Sequence, residues 1–236
     1  MQIFYSKSLN EDLIRLEKDE SRHCARVLRM REQQRIGVVD GAGTLCIAEL
    51  LDVNPDSTIA KVIDRKENFG ARPFSLHLAV APTKNIDRFE WLLEKSTECG
   101  IDEITPVICE KSERRVIKPQ RLEKILLSAM KQSVRAYLPR LNPAVKLEHF
   151  LNNPFNGTAV IAHCGEGKRS NLQNTYTAGG NLLILVGPEG DFSGEEVDLA
   201  LEQGYRAISI GQHRLRTETA ALTLCIQANT MNGLLI

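Results

Sequence analysis

The sequence predicts an α/β protein in two parts, a small β-rich module over residues 1–70 and a larger, mainly parallel α/β domain over residues 71–236. Three observations predict it. Two β-prone runs flank an Asp-Gly turn early in the chain. From Pro73 onward, continuous apolar runs of buried-strand type alternate with helical periodicity. Between the two patterns lies RKENFGARP, a charged, glycine-containing stretch suited to a linker.

The first module opens on an apolar run, MQIFY. Ser21 to Met30 (SRHCARVLRM) reads as a short basic helix with Cys24, Val27 and Leu28 on its apolar side. In RIGVVDGAGTLCIAELLDV, Asp40-Gly41-Ala42-Gly43 separates two β-prone runs, which predicts a hairpin. TIAKVIDR, after Asn54-Pro55-Asp56, is a further strand. Together these make a small barrel-like module.

In the second part, FSLHLAVAP is a buried strand, and the helix after it sets Phe89, Leu92, Leu93, Ser96 and Cys99 on one stripe before Gly100 ends it. EITPVIC is the next strand. Pro119 opens a long helix with Leu122, Ile125, Leu126, Ala129, Met130, Val134 and Tyr137 on one face, closed by Pro139. TAVIAHC and NLLILVG are two more buried strands. Ser193 and Glu196 form a capping box that starts a helix ended by Gly204. AISIG is a further strand, and Glu218 to Leu235 a final apolar helix. Strands alternating with helices argue for a parallel sheet.

Composition narrows the function classes. A hydrophobic content of 42% supports a packed core. No window approaches the roughly 20 apolar residues of a membrane helix, and MQIFYSKSLNEDLIRL lacks the basic start and apolar centre of a signal peptide, so a cytoplasmic protein is expected. The six cysteines form no C-x-x-C pair and read as reduced, mostly core residues; no metal is expected. With 30 basic and 30 acidic residues the summed field attracts no polyanion, so a nucleic-acid site must come from local clusters. Two exist, Arg22, Arg26, Arg29, Arg31 and Arg35 in one stretch and Lys111, Arg114, Arg115, Lys118, Arg121 and Lys124 in another. Solvated helix faces are the competing reading for each member.

In an open α/β sheet, ligands bind beyond the carboxyl ends of the strands. The loops leaving NLLILV and AISI are Gly187-Pro188-Glu189-Gly190-Asp191 and Gly211-Gln212-His213-Arg214-Leu215-Arg216-Thr217-Glu218. Glycines there let a ligand lie against the main chain, and Pro188 stiffens the turn. The absence of G-x-x-x-x-G-K-[ST], of G-x-G-x-x-G and of G-x-S-x-G argues against a Walker loop, a nicotinamide site and a serine hydrolase.

GPEGDFS followed by IGQHRLRTETAAL resembles the paired signature of the RsmE family, the uridine-N3 methyltransferases of 16S ribosomal RNA within the SPOUT superfamily. Lys84, Arg88, Glu90, Lys95, Thr97, Glu98 and Gly100 match that family's first signature; Ser112, and then Ala129, Gln132, Ser133, Arg135 and Pro139, match two others. His23 to Arg29 with Asp40-Gly41 resembles its small PUA-like RNA-binding domain. Where the family usually has glycine, this chain has Asp191; Arg214 stands at a place more often apolar, Lys131 where an acid is usual, and Cys99 where leucine is usual.

The resemblance implies a PUA-like β-barrel followed by a SPOUT domain with a trefoil knot, a homodimer, S-adenosyl-L-methionine as methyl donor, and 16S ribosomal RNA of the small ribosomal subunit as substrate. By position, Gly187, Pro188, Glu189, Gly190, Ile210, Gly211 and Leu215 surround the cofactor, with core packing the competing role for Ile210 and Leu215. Glu189 either faces the sulfonium or braces the turn. Arg216 is the first choice for stabilising charge on the uracil oxygens, against a salt bridge with Glu218 or another acid. Thr217 and Glu218 suit the start of the last helix, Glu218 is also a candidate catalytic residue, and His213 is a possible base. Candidate RNA contacts are Arg22, Arg26 and Arg29 in the small module, with Arg88, Arg114 and Arg135 expected near the site. Two alternatives stay open: a SPOUT enzyme for another RNA nucleotide, and a non-catalytic RNA-binding assembly protein.

Overall fold

The computed structural model describes residues 1–165 and 167–234 and divides into two compact units, Met1–Ala71 with Leu127–Leu138, and Arg72–Leu126 with Pro139–Ile236. The first unit is a curled five-stranded sheet. Its strands are β1 (Ile3–Tyr5), β2 (Leu13–Arg15), β3 (Arg35–Val39), β4 (Leu45–Asp52) and β5 (Ile59–Lys66), in the order β1-β3-β4-β5-β2. The predicted hairpin is β3 and β4, with the Asp40 carboxylate accepting the N–H groups of Ala42 and Thr44. Period-two alternation sends Ile36 and Val38 of β3, and Cys46, Ala48 and Leu50 of β4, into one core with Phe4, Ile14 and Leu16.

Two expectations in this unit need correction. The short basic helix begins earlier, as α1 (Lys18–Arg22), and continues as a π-helical turn over His23–Val27. That widened turn buries Cys24 but leaves Val27 67% exposed, so Val27 is not on the apolar side. The long helix predicted through Tyr137 is shorter, as described below.

The second unit contains a sheet of seven strands, parallel throughout. In chain order its elements are β6 (Leu76–Val80), α2 (Ile86–Cys99), β7 (Glu103–Ile108), α3 (Pro119–Gln132), β8 (Arg140–Leu141), β9 (Val145–Lys146), α4 (Leu147–Leu151), β10 (Thr158–Ala162), α5 (Leu172–Thr175), β11 (Leu182–Val186), α6 (Gly194–Glu202), β12 (Arg206–Ile208) and α7 (Thr217–Met231). The strand order is β12-β10-β11-β6-β7-β8, and β9 also pairs with β7. β6, β10 and β11 are apolar runs because helices cover both faces. The last helix ends at Met231, with Gly233 following at a left-handed φ of 71°, so it stops short of the predicted Leu235, which lies outside the described residues.

Local signals set the helix ends. The Asn85 side chain accepts the N–H of Asp87 to start α2, and Gly100, at φ 98°, ends it. Ser193 and Glu196 form the predicted capping box of α6. α3 stops at Gln132 because Val134 takes a left-handed φ of 55°, and the Ser133 hydroxyl turns back to the Ala129 carbonyl. The chain beyond it then bonds to the first unit's sheet, with Gly43 N–H on the Ala136 carbonyl and Leu138 N–H on the Gly41 carbonyl. Tertiary pairing overrides the helical periodicity there.

Candidate active site

The sheet's connections reverse direction around β6. From β6 the chain moves to β7 on one side, and it later returns to place β11 on the other. Ligands bind at such a switch point because loops diverge there and leave a crevice. Register puts Val186 of β11 beside Val80 of β6 and Ala162 of β10, with Ala162 beside Ile208 of β12. The carboxyl ends of four strands therefore open side by side, and the predicted bends after β11 and β12 belong to this edge.

Hydrogen bonds tie the bends together. The Thr217 hydroxyl, at the start of α7, donates to the Gly187 carbonyl at 3.0 Å. Thr217 is thus joined to the first bend. It does not cap its own helix, whose first residue is preceded by Arg216 without any side-chain cap. Gly187 and Pro188 are buried, whereas Glu189 and Gly190 are exposed. A Cβ at Gly187 would meet the Phe192 ring at 3.0 Å, tighter than ordinary packing, so a larger residue here would have to push the ring aside. Gly211 is different: an added methyl would meet nothing within 4 Å, so its main chain borders open space. Ile210 is half-buried and Leu215 is 42% exposed, so neither is core packing alone.

Glu189 braces the turn: its Oε1 accepts the Lys84 N–H at 2.9 Å. The β6–α2 loop is also held by Arg114, whose Nε donates to the carbonyls of Thr83 and Lys84 and whose Nη2 donates to that of Lys84. Lys84 pairs with Glu113 at 2.7 Å.

Asp191 stands at φ 60°, left-handed backbone that glycine adopts without cost. Here the carboxylate compensates. Its Oδ1 accepts the N–H of Phe192 and its Oδ2 that of Cys164, each at 2.8 Å. The second bond brings in a third loop, the one leaving β10, which sequence reasoning missed. That loop is also tied to β12, since Ser170 N–H donates to Ala207 and Ser209 N–H to Ser170. The signal was present: the TAVIAHC run ends on Gly165, the same strand-then-glycine pattern as the other two bends. His163 in this loop is 8% exposed, and burial lowers its pKa.

Charged residues separate clearly. Arg216 is exposed and, among the described residues, its guanidinium has no hydrogen bond or ion pair. Glu218, in contrast, is buried to 6% exposure, and its ion-pair partner is Arg88 of α2, Nε to Oε1 3.9 Å. The other oxygen, Oε2, has no hydrogen-bond partner. His213 is exposed beside Arg216 in the last loop. Arg22, Arg26 and Arg29 are all exposed in the first unit, Arg29 at φ 50°, and Arg135 belongs to the segment that joins that unit. The candidate arginines are thereby divided, with Arg88 and Arg114 in the second unit.

A cleft of about 390 Å³ lined by Cys109, Glu110, Arg115, Glu148 and Glu196 contains none of the residues assigned to the cofactor or to catalysis. Its buried carboxylate, Glu196, is consumed in holding the N–H groups of Ser193 and Glu110. Among the described residues there is no group of three or more His, Cys, Asp or Glu able to hold a metal, and no helix is long and apolar enough to cross a membrane.

Comparison with known proteins agrees with this geometry. A family model described as an RNA methyltransferase domain matches residues 71–229, and one described as an RNA methyltransferase PUA domain matches residues 16–63. The chain is similar to the crystal structure of a probable rRNA-methyltransferase from Porphyromonas gingivalis, with 37% identity, TM-score 0.91 and 99% of each chain covered. It is also similar to a ribosomal RNA small subunit methyltransferase E from Neisseria gonorrhoeae bound to S-adenosyl methionine, with 28% identity, TM-score 0.89 and 98% of each chain covered. A ribosomal RNA small subunit methyltransferase E from Mesomycoplasma hyopneumoniae is 30% identical over 188 residues, 75% of this chain and 81% of that protein.

Proposed function

From the premise that this chain belongs to the ribosomal RNA small subunit methyltransferase E family of RNA methyltransferases, we propose that it transfers a methyl group from S-adenosylmethionine to N3 of a uridine in 16S ribosomal RNA. The observation that carries the reading is the tie between two bends distant in sequence, Thr217 to Gly187, at the carboxyl edge of the sheet. It makes one crevice of the segments that carry the family's paired signature.

The residues present fit the cofactor. Gly187, Pro188, Glu189 and Gly190 form one wall, Ile210, Gly211 and Leu215 the other, and Gly211 offers bare main chain to open space. A flat adenosyl group needs such a main-chain cradle. When bound, S-adenosylmethionine supplies an electrophilic methyl carbon. The protein holds the uracil in line with it and stabilises the negative charge that spreads over the uracil oxygens as the N3 proton leaves. Arg216 and Glu218 are the catalytic candidates, and the exposed, unpaired guanidinium of Arg216 suits the first task.

N3 is hidden in a paired duplex, so the base must be splayed out. Arg22, Arg26, Arg29, Arg88 and Arg135 are proposed phosphate contacts; Arg114 is already engaged by the β6–α2 loop and contributes to RNA binding mainly by bracing that loop. A homodimer in the cytoplasm is part of the same reading. Trp91 on α2 and Ile226 on α7, 43% and 39% exposed on helices that pack together, support an apolar pairing surface. A trefoil knot formed by the segments that carry these bends belongs to the same reading.

The test is mass spectrometry of nucleosides from 16S RNA after incubating small subunits from a strain without the endogenous enzyme with recombinant protein and labelled cofactor. Label in 3-methyluridine is expected. Label in any other nucleoside overturns the assignment of the base.

A further inference from the structure

A buried carboxylate with an open oxygen is costly, because water has been removed and no donor replaces it. Glu218 is in that position. Its side chain is 8% exposed, Oε2 has no partner, and Oε1 has only the Arg88 Nε at 3.9 Å, longer than a hydrogen bond. Nor is Glu218 a helix cap: its location in the first turn of α7 follows from Thr217, which is anchored on the Gly187 carbonyl. The Arg88 side chain is 40% exposed, and the N-terminus of its helix is fixed by Asn85 in the loop that Glu189 and Arg114 hold. An acceptor and a fixed cation therefore meet beside the cofactor bend, the acceptor turned away from water and the cation reaching it.

Resting on the methyltransferase reading above, we infer that Glu218 is the base that removes the N3 proton of the target uridine, and that Arg88 is the paired cation that stabilises the resulting uracil anion. The balance is complete. The N3 proton passes to the Glu218 carboxylate, the N3–carbon bond forms with the nitrogen pair, and the sulfur–methyl bond breaks with its pair left on sulfur, giving S-adenosylhomocysteine. The carboxylic acid then returns its proton to solvent. Arg88 opposes the negative charge on O2 or O4 with its guanidinium, a group of five donors whose Nε lies 3.9 Å from Glu218 Oε1. This moves Arg88 from the phosphate contacts proposed above to the target uracil itself.

The experiment uses the full-length protein, 16S-containing subunits and three variants, Glu218→Gln, Glu218→Asp and Arg88→Ala. Binding of S-adenosylhomocysteine by calorimetry is expected within about twofold of wild type in all three. The single-turnover methyl-transfer rate of E218Q should fall on the order of 10²–10⁴-fold, the usual contribution of a positioned base. Its acid limb in the pH–rate profile should vanish, and E218D should regain part of both. R88A should lose rate while keeping the acid limb. A merely structural carboxylate predicts the opposite: lowered thermal midpoint and weakened S-adenosylhomocysteine binding in E218Q, with the acid limb intact. That result, or an unchanged rate in E218Q, overturns the inference. The wild-type product separates the two levels, since a methylated nucleoside other than 3-methyluridine removes the function assignment and the dyad's role with it.

Discussion

Replacing Asp191 by alanine and, separately, by glycine isolates two opposing terms in one bend. The wild-type residue occupies φ 60°, which costs an ordinary L-residue about 1–2 kcal/mol relative to right-handed backbone. It also supplies two hydrogen bonds, to the N–H groups of Cys164 and Phe192. Each is taken at about 1 kcal/mol, the net value of an intramolecular bond, because the site is partly open to water. Glycine loses both bonds but sheds the backbone cost, so D191G should lie within about 1 kcal/mol of wild type, on the less stable side. Alanine loses both and keeps the backbone cost, so D191A should be about 2 kcal/mol less stable. Urea unfolding followed by far-ultraviolet circular dichroism measures the order. A glycine variant more stable than wild type would show that the carboxylate contributes nothing, and equal glycine and alanine variants would show that the backbone angle is wrong.

Three further outcomes are expected. Lys131→Met strands the Glu20 carboxylate, whose Oε2 is already without a partner, and should cost about 2 kcal/mol of unfolding free energy, with Glu20→Leu added to it recovering most of the loss. His77 is held in neutral form, its pKa lowered first by burial and bonded through Nε2 to Thr105 at 2.7 Å, so the unfolded chain binds its proton more readily. Stability should therefore fall as the pH drops below about 6.5, the ordinary histidine value, and His77→Gln should flatten that slope in thermal melts; His163, shifted the same way, supplies the remainder. A Cβ at Gly211 meets no protein atom within 4 Å, so Gly211→Ala should keep the wild-type melting midpoint while S-adenosylmethionine affinity by calorimetry drops several-fold.

What could be read from the sequence was whatever rests on short-range chemistry. The Asp40-Gly41 hairpin, the Ser193 cap and the Gly100 stop are each decided within four residues, and the apolar strands announce a sheet covered on both faces. The segment from Arg140 to Leu151 was silent, since two-residue strands such as β8 and β9 carry no periodicity and exist only through pairing with β7. Val134 misled for the opposite reason: its spacing fits the helix, yet tertiary pairing pulls the chain into left-handed backbone. At the site, the two glycine bends were legible as motifs, but strand order was not. Only the placement of β10 between β11 and β12 makes the loop after Ala162 a neighbour of both. Likewise the sequence offered Arg216 as the salt-bridge partner of Glu218; that Arg88, 130 positions earlier by sequence number, pairs with it instead follows from the packing of α2 on α7.

The Thr217–Gly187 bond also has a temporal meaning during synthesis. A nascent chain that has already emitted every strand of the second sheet still owns only half a crevice, because the residue that clamps the earlier bend has yet to clear the ribosome. On the proposed site, capacity for the methyl donor is thereby deferred until translation has passed Thr217, and a product truncated before it lacks both the clamp and the α7 residues that pack on β6 and β11.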